Sequence, residues 1–309
     1  MAAIATENLE KWYSHFLFKR EEAPALKGLT LEVREGETFG FLGPNGAGKT
    51  TTILLLLNLI QATSGRALLF GQPVSDARVH RRLGYLPESV NLHDYYTGQG
   101  LLEFYAALLQ LPIQTRRARI AELLQLLHLE DAAHRRVSKY SRGMLQRLGF
   151  AQALLHDPDL LILDEPTASL DPVGRKEFRD ILLELKRRGK TIFISSHILS
   201  EVESVCDRVA ILQKGQLKRV GTLQELSAAR SARLVLKNVP SAVLEALAAS
   251  PAEVTMSGGQ VTVKCPDAAT QSLVEELLSR HGIQPERAEL EVQSLEEIFF
   301  RAIEAPPKI

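Results

Sequence analysis

The sequence has little of what would make a disulfide-stabilised or membrane-spanning protein. Its 309 residues include two cysteines, Cys206 and Cys265, at no metal-ligand spacing, so we expect reduced thiols. The longest apolar run, 53–60, is interrupted by Asn58 and is far too short to cross a bilayer. The first eight residues lack a basic flank and an apolar core, which predicts no signal peptide. If the protein works at a membrane, we expect another chain to span it.

An excess of charge of one sign is also missing. The 37 Lys and Arg residues balance 37 Asp and Glu residues, so no overall field attracts nucleic acid or an acidic membrane surface. A hydrophobic content of 45% and a charged content of 24% are typical of a globular protein. The length leaves room for one large domain and one smaller domain.

The glycine-rich segment 43–50 is the most informative stretch, and it reads GPNGAGKT. It follows an apolar run at 38–42 and precedes an apolar helix predicted at 51–60, which is the order of a phosphate-binding loop. The glycines allow a tight turn that directs successive N–H groups onto a phosphate, and the helix N-terminus favours negative charge. The predicted nucleotide-binding residues are those of this segment and the residue after it: Gly43, Pro44, Asn45, Gly46, Ala47, Gly48, Lys49, Thr50 and Thr51. Within it, Lys49 is expected to contact the β- and γ-phosphates, and the Thr50 hydroxyl is expected to ligate Mg²⁺.

A second apolar run, 160–163, ends in Asp164 and Glu165. Such a run suits a strand buried on both faces of a parallel sheet, with its acidic residues in the crevice beyond the strand end. We expect Asp164 to hold Mg²⁺, and Glu165 to orient or deprotonate the water that attacks the γ-phosphate. His197 follows the next buried strand, 191–195, and is expected to hydrogen-bond to the γ-phosphate.

Segments 43–51, 140–146, 160–166, 169–171 and 196–197 resemble, in order and spacing, the motifs of the ATP-binding subunits of ABC transporters. Five ordered motifs make the resemblance specific. It implies an α/β fold of the P-loop NTPase, ABC-type ATPase class: a mixed sheet core plus a helical subdomain at about 88–157, within a domain at 1–228. It also implies hydrolysis of ATP with Mg²⁺, and a head-to-tail dimer in which each ATP lies between the phosphate loop of one copy and the signature loop of the other.

The resemblance assigns further residues to the site. It implies that Ser141 and Gly143 meet the γ-phosphate of the partner's ATP, and that Asp171 lies in the loop coupling the two sites. Tyr13 occupies the place where the family stacks an aromatic ring on adenine. Trp12 competes for that role, and either aromatic residue could instead belong to the core.

Two positions depart from the usual family pattern. In the signature segment, Arg142 replaces a glycine, which removes backbone freedom and adds a positive charge near phosphate. Where the family usually has glutamine, this chain has Glu88, which can still ligate Mg²⁺ but cannot donate a hydrogen bond to the attacking water. Both variants resemble the exporter-type, ABC-2-like branch of the family, so we interpret them as marks of that branch.

The segment 229–309 is predicted to form a small α+β accessory domain. Its order of strands and helices suggests a βαββαβ module of the ferredoxin-like kind. Residues 257–260 read SGGQ and imitate a signature motif, but they lie between two alternating strands with no helix after them, which indicates a hairpin turn. From residue 230 on, the sequence has eight Lys and Arg residues and eleven Asp and Glu residues. This excess of negative charge argues against nucleic-acid binding by the segment. Dimer support or regulation is the expected use.

The function implied by the resemblance is an ATPase subunit that energises export through a separate permease, at the cytoplasmic face of the cell membrane. One alternative is an ATP-dependent switch that acts on a membrane partner without transport. Another is a soluble ABC ATPase acting on nucleic acid or ribosomes. Among soluble ABC ATPases, translation factors carry two ATPase halves in one chain, and DNA-repair proteins carry a long coiled coil between the two phosphate motifs. This chain has one ATPase half and no such insertion.

Overall fold

The computed structural model describes residues 1–13, 24–227, 230–237, 239–257, 260–265, 268–292 and 295–304. They form two compact units, Met1–Val220 and Gly221–Ile309. The sequence of segment 16–24, FLFKREEAP, indicates a charged loop, and this segment lies almost wholly outside the described residues.

The first unit contains both strands and helices. The strands are β1 (Ala2–Lys11), β2 (Leu26–Arg34), β3 (Thr38–Leu42), β4 (Ser64–Leu69), β5 (Gln72–Pro73), β6 (Leu83–Leu86), β7 (Leu160–Asp164), β8 (Thr191–Ser196), β9 (Arg208–Gln213) and β10 (Gln216–Thr222), the last ending just past the boundary. The helices are α1 (Lys49–Leu56), α2 (Ala77–His80), α3 (Gly98–Leu108), α4 (Ile113–Leu126), α5 (Arg142–Leu154), α6 (Pro172–Arg187) and α7 (Leu199–Val205).

A six-stranded sheet forms the centre of this unit, with the order β10-β9-β3-β8-β7-β6. Strands β9, β3, β8, β7 and β6 run parallel to one another. Every residue of β3, β7 and β8 is buried, as the continuous apolar runs predicted. Parallel strands bring their carboxyl ends to one edge, where Asp164 lies opposite Ser195, and Leu42 lies opposite Ser196. The chemistry-bearing residues that follow these strands therefore meet at one edge.

An antiparallel sheet of order β2-β1-β4-β5 belongs to the same unit. One apolar cluster contains side chains of both sheets together with Ile53 and Leu56 of α1. Phe41 and Phe193, on adjacent parallel strands, have ring centroids 5.2 Å apart in this cluster. The core thus fixes the position of the helix that follows the glycine loop.

Helices α3, α4 and α5 form the segment between β6 and β7, where the helical subdomain was expected. Helices α2, α3, α5 and α6 begin at capping side chains, since Asp76, Thr97, Ser141 and Asp171 each accept a hydrogen bond from a first-turn amide. Helix α5 therefore starts at Arg142, two residues before the helix at 144–156 that the sequence pattern predicts.

The second unit contains α8 (Leu223–Ser227), β11 (Arg230–Lys237), α9 (Ser241–Ala248), β12 (Glu253–Ser257), β13 (Gln260–Cys265), α10 (Ala268–Arg280), β14 (Arg287–Val292) and α11 (Leu295–Glu304). Its sheet has the order β12-β13-β11-β14 with antiparallel neighbours. From β11 to β14 this is the ferredoxin-like βαββαβ arrangement that the sequence suggested. Ser257 pairs with Gln260 across the β12–β13 hairpin, while residues 258–259 of the imitation signature lie outside the described residues.

Helix α8 packs against α11, and both helices belong to the second unit. The unit boundary therefore falls at 220/221, earlier than the 228/229 boundary expected from the sequence. Among the described residues, none of the helices combines the length and the apolar character needed to cross a membrane.

Candidate functional site

The glycine loop closes tightly onto the start of α1. Gly46 has φ 76° and Gly48 has φ 108°, both in the left-handed region that favours glycine. A Cβ atom at Gly48 would lie 2.6 Å from the carbonyl oxygen of Ala25, so a larger residue would push the loop open. Helix α1 has no side-chain cap, and its first-turn amides have no acceptor within the helix. They are available to an anion at the loop.

Two loop residues support the turn through packing beneath it and do not line the cavity above it. A Cβ atom at Gly43 would lie 2.6 Å from the carbonyl oxygen of Leu212 and 2.8 Å from the Ala47 Cβ. Ala47 is only 2% exposed, and its amide donates to the Pro44 carbonyl at 3.1 Å. Gly43 and Ala47 therefore act by allowing close packing against β9.

A cavity of about 480 Å³ opens over this loop. It is lined by Ala25, Pro44, Asn45, Gly46, Gly48, Lys49, Thr50, Thr51, Glu88, Glu165 and His197. The volume falls in the range of small-molecule and cofactor sites. Residues predicted from four separate segments of the sequence thus surround one space.

Lys49 is held at the base of the cavity and is 6% exposed. Its Nζ donates to the Gly43 carbonyl at 2.6 Å. The same Nζ lies 3.1 Å from Glu165 Oε1, in ion-pair contact but without hydrogen-bond geometry. The ammonium group is consequently fixed beside the loop amides, where positive charge adds to theirs.

Glu165 connects the lysine to the histidine. Its Oε2 lies 2.7 Å from His197 Nδ1 and also accepts the His197 amide at 3.3 Å. The carboxylate is largely buried, and the residue has φ 46°. A non-glycine residue in this region costs about 1 kcal/mol or more and persists where its surroundings impose it. Here the carboxylate is held directed into the cavity.

Asp164 lies beneath the cavity wall and is 2% exposed. Its Oδ1 accepts the Ser195 hydroxyl at 2.6 Å, and the Ser195 Oγ in turn accepts the Glu165 amide at 3.0 Å. Burial, together with the negative charge of Asp164, raises the pKa of the neighbouring Tyr85 to about 12. The phenol therefore stays neutral at physiological pH beside a carboxylate.

Two of the three residues predicted to hold Mg²⁺ line the cavity, and the third does not. Thr50 and Glu88 line it, whereas Asp164 lies behind, bonded to Ser195. Within the described residues, no cluster of three or more His, Cys, Asp and Glu side chains is arranged as a metal site. Hydroxyl and carboxylate oxygens suit Mg²⁺, which is commonly held by one or two carboxylates together with substrate phosphates. The donor set therefore fits a nucleotide-bound Mg²⁺.

Both candidate aromatic residues are exposed, so neither belongs to the core. Trp12 and Tyr13 are each 45% exposed. The Tyr13 hydroxyl lies 3.5 Å from Thr51 Oγ1, and Lys11 Nζ lies 5.3 Å from the Tyr13 ring centroid. Tyr13 thus reaches a residue that lines the cavity.

Ser141, Gly143 and Asp171 are not brought to this cavity. Ser141 caps α5 by accepting the Met144 amide at 3.3 Å, and Asp171 caps α6 by accepting the Gly174 amide at 2.7 Å. Both side chains are exposed. A Cβ atom at Gly143 would lie 3.5 Å from Leu170, so the signature loop and the loop before Asp171 are neighbours.

Sequence reasoning missed two residues of the site. Ala25 lines the cavity because the segment just before β2 crosses the glycine loop. This is a tertiary contact, and it leaves no pattern in the local sequence. Ser195 was counted only as the end of a buried strand. Its polar side chain in a buried strand was a signal, since buried hydroxyl groups require hydrogen-bond partners.

A family model, curated relatives and solved structures that resemble this chain all belong to the ABC transporter ATP-binding proteins. The family model described as "ABC transporter" matches residues 26–168. An uncharacterized ABC transporter ATP-binding protein of Nostoc sp. is 50% identical over 227 residues, which cover 73% of this chain and 68% of that protein. A fluoroquinolones export ATP-binding protein of Mycobacterium tuberculosis is 38% identical over 236 residues, covering 76% and 77%. Among solved structures, a dimeric ATP-binding cassette in a post-hydrolysis state with ADP and Pi has 26% identity and a TM-score of 0.64, covering 71% of this chain and 98% of that one.

Proposed function

The chain belongs to the ABC transporter family and is an ATPase of that family, and we propose that it energises export through a separate membrane permease. ATP binding closes a head-to-tail dimer of two copies, hydrolysis reopens it, and the permease converts this motion into transport. The name of the Mycobacterium tuberculosis relative, an export ATP-binding protein, supports the direction of transport.

One observation carries the proposal: Lys49, Glu165 and His197 meet in one cavity over the glycine loop. The loop amides and Lys49 bind the phosphates of ATP, with Tyr13 against the adenine. Glu165, directed into the cavity between Lys49 and His197, orients or deprotonates the attacking water. His197 contacts the γ-phosphate and holds the Glu165 carboxylate through the 2.7 Å contact.

Magnesium is the cation that the oxygen donors around the phosphates would accept. Thr50, Glu88 and Asp164 would hold it, directly or through water. When bound, it neutralises charge on the phosphate oxygens. The carboxylate at Glu88 adds a negative charge where the family usually has a neutral amide.

The second copy completes each site. Ser141, Gly143 and Asp171 lie at the exposed starts of α5 and α6, away from their own copy's cavity. Facing a partner's nucleotide, Ser141 and the N-terminus of α5 contact its γ-phosphate, while Asp171 couples the two sites. The permease is the further partner, which places the subunit at the cytoplasmic face of the membrane. No nucleic-acid partner is proposed, because the chain carries no net charge.

Glu165→Gln tests the assignment of the catalytic carboxylate. The variant is expected to bind ATP with nearly unchanged affinity and to turn it over very slowly, because an amide cannot accept the proton from water. Steady-state hydrolysis and calorimetric titration measure the two properties. Hydrolysis at the wild-type rate would remove Glu165 from this role.

Co-purification tests the permease. The protein extracted from its native membrane in mild detergent is expected to carry a polytopic membrane protein, and the pair reconstituted in vesicles is expected to show ATP-dependent flux. A stable pair that hydrolyses ATP without any flux would instead support the alternative of a switch that acts on a membrane partner.

A further inference from the structure

Two segments carry the reacting side chains of the cavity, and a contact outside the cavity joins them. The base segment, 164–171, begins at the last residue of β7 and holds Glu165. The histidine segment, 195–201, runs from the end of β8 into α7 and holds His197. They touch inside the site, where Ser195 donates to Asp164 and His197 contacts Glu165. They touch again outside it, where the Thr167 hydroxyl donates to Glu201 Oε2.

The outer contact lies close to both reacting residues along the chain. Thr167 follows Glu165 by two positions, and Glu201 follows His197 by four positions. Thr167 is 5% exposed, and the Glu201 side chain is 17% exposed. Neither residue lines the cavity. A hydrogen bond here therefore acts on the reaction only through the two segments that it joins.

Arg175 of α6 supplies the charge opposite Glu201. Its Nε lies 3.7 Å from Glu201 Oε1 and donates to the Leu170 carbonyl at 3.1 Å. Glu201 Oε1 is buried and accepts no hydrogen bond from the described residues. A buried carboxylate oxygen without a hydrogen bond is costly. The carboxylate is oriented through its other oxygen, Oε2, which accepts the hydrogen bond from the Thr167 hydroxyl.

Helix α7 is packed through its buried side chains Val202 and Val205, and the outer contact adds a hydrogen bond at its first turn. It begins at Leu199, directly after His197 and Ile198, and has no side-chain cap at its start. The Thr167–Glu201 hydrogen bond ties its first turn to the base segment instead. Without it, the inner contact between His197 and Glu165 would be the first to change.

We propose that Thr167 and Glu201 are positioning residues for ATP hydrolysis: their hydrogen bond sets the separation of the base segment from the histidine segment. The inference rests on the roles proposed above for Glu165 and His197. Apart from His197, the residues proposed to bind the phosphates within this copy follow β3, on a different strand. Loss of the bond therefore lowers kcat and leaves ATP binding nearly unchanged.

Thr167→Val, which keeps the side-chain shape and removes the donor, is the central variant. A shift of the order of 1 Å far from the chemistry is enough to reduce the rate, and we expect kcat to fall about tenfold with KM for ATP within about twofold of wild type. Glu201→Ala, at a less buried position, is expected to show the same split. Thr167→Ser restores the donor and is expected to retain kcat.

Ser204→Ala is the matched control. It removes a hydroxyl from the same short helix, where Ser204 donates to the Glu201 carbonyl at 2.8 Å, and it leaves the outer contact intact. We expect wild-type kcat. A thermal melt of every variant separates a loss of fold from a loss of positioning. If Thr167→Val is unfolded, the kcat of Glu201→Ala alone tests whether the outer contact positions the reacting residues.

A double-mutant cycle with His197→Ala tests whether the contact acts through the histidine. In that background, Thr167→Val is expected to cause little further decrease in kcat, because the group that it positions is already absent. Wild-type kcat in a folded Thr167→Val or Glu201→Ala variant would overturn the proposal. An undiminished tenfold effect in the His197→Ala background would overturn it too.

Glu165→Gln, assayed alongside, distinguishes this inference from the proposed function. Normal hydrolysis by Glu165→Gln means that the catalytic assignment has failed. Inactive Glu165→Gln together with fully active Thr167→Val means that only the positioning inference has failed.

Discussion

At the residue scale, Lys49 is the cation around which the cavity is built. Lys49→Ala removes the ammonium group beside the loop amides, and we expect ATP affinity to fall about a hundredfold, since a charge-assisted hydrogen bond is worth up to about 3 kcal/mol. Calorimetric titration with ATP measures it. Lys176→Ala, at an exposed position outside the cavity, is the control, and normal affinity in Lys49→Ala would contradict the assignment.

His156 connects the end of α5 to β6 and makes stability depend on pH. Its Nε2 lies 3.0 Å from the Leu83 carbonyl, while Nδ1 is buried without a partner among the described residues. Burial lowers the pKa of His156 below its ordinary value of 6.5. The unfolded chain therefore takes up a proton more readily than the folded one, and the contribution is present above pH 6.5 and lost as the pH falls below it.

His156→Gln tests this dependence. The amide can keep a donor for the Leu83 carbonyl but cannot take up a proton. Urea unfolding at several pH values between about 7 and 5 is expected to show a smaller loss of unfolding free energy than in wild type. An unchanged pH slope would show that His156 does not contribute.

Residue types and spacing predicted the positions of the reacting side chains along the chain, but not how they are held. The sequence placed Lys49, Glu165 and His197 in separate motifs, and the structure brings them to one cavity. The left-handed backbone at Glu165 and its two contacts arise only when adjacent parallel strands are in register. No local pattern encodes that register.

At the element scale, Gly98 and Tyr140 set the packing of α3 against the signature segment. A Cβ atom at Gly98 would lie 2.1 Å from the Tyr140 hydroxyl, which donates to the Ala132 carbonyl at 2.7 Å. Gly98→Ala is therefore expected to destabilise the fold by about 1–3 kcal/mol. Denaturant unfolding measures this, and Gly100→Ala, whose Cβ would meet no atom closer than 3.0 Å, is the comparison.

Tyr140→Leu provides the compensating change, because it removes the hydroxyl that an alanine at position 98 would meet. We expect Gly98→Ala to cost less in the Tyr140→Leu background than in wild type. Equal costs in the two backgrounds would show that the packing does not couple these residues.

The elements themselves were predicted better than their ends. The buried strands were evident from continuous apolar runs, but α1 begins at Lys49 and α5 at Arg142, earlier than the apolar patterns indicated. In α5 the cap at Ser141 determines the start, and a cap precedes the first apolar residue by a variable distance. The phosphate-binding turn similarly includes the first residues of α1.

At the scale of the whole molecule, the first unit holds every residue that lines the cavity, and the second unit is a ferredoxin-like module. The sequence suggests a division at 228/229, whereas α8, at 223–227, packs with α11 and belongs to the second unit. The exposed caps Ser141 and Asp171 acquire a role in ATP hydrolysis only if a second copy supplies the facing nucleotide.

The central claim is that two copies form a dimer around ATP and complete each other's sites. The mass of the Glu165→Gln variant with ATP and Mg²⁺, measured by sedimentation, tests it most directly. We predict a dimer with ATP and a monomer without it, and a monomer under both conditions when Ser141→Arg is added, because the larger side chain blocks the shared interface. A Glu165→Gln protein that binds ATP yet remains a monomer, even together with its membrane partner, would contradict the account.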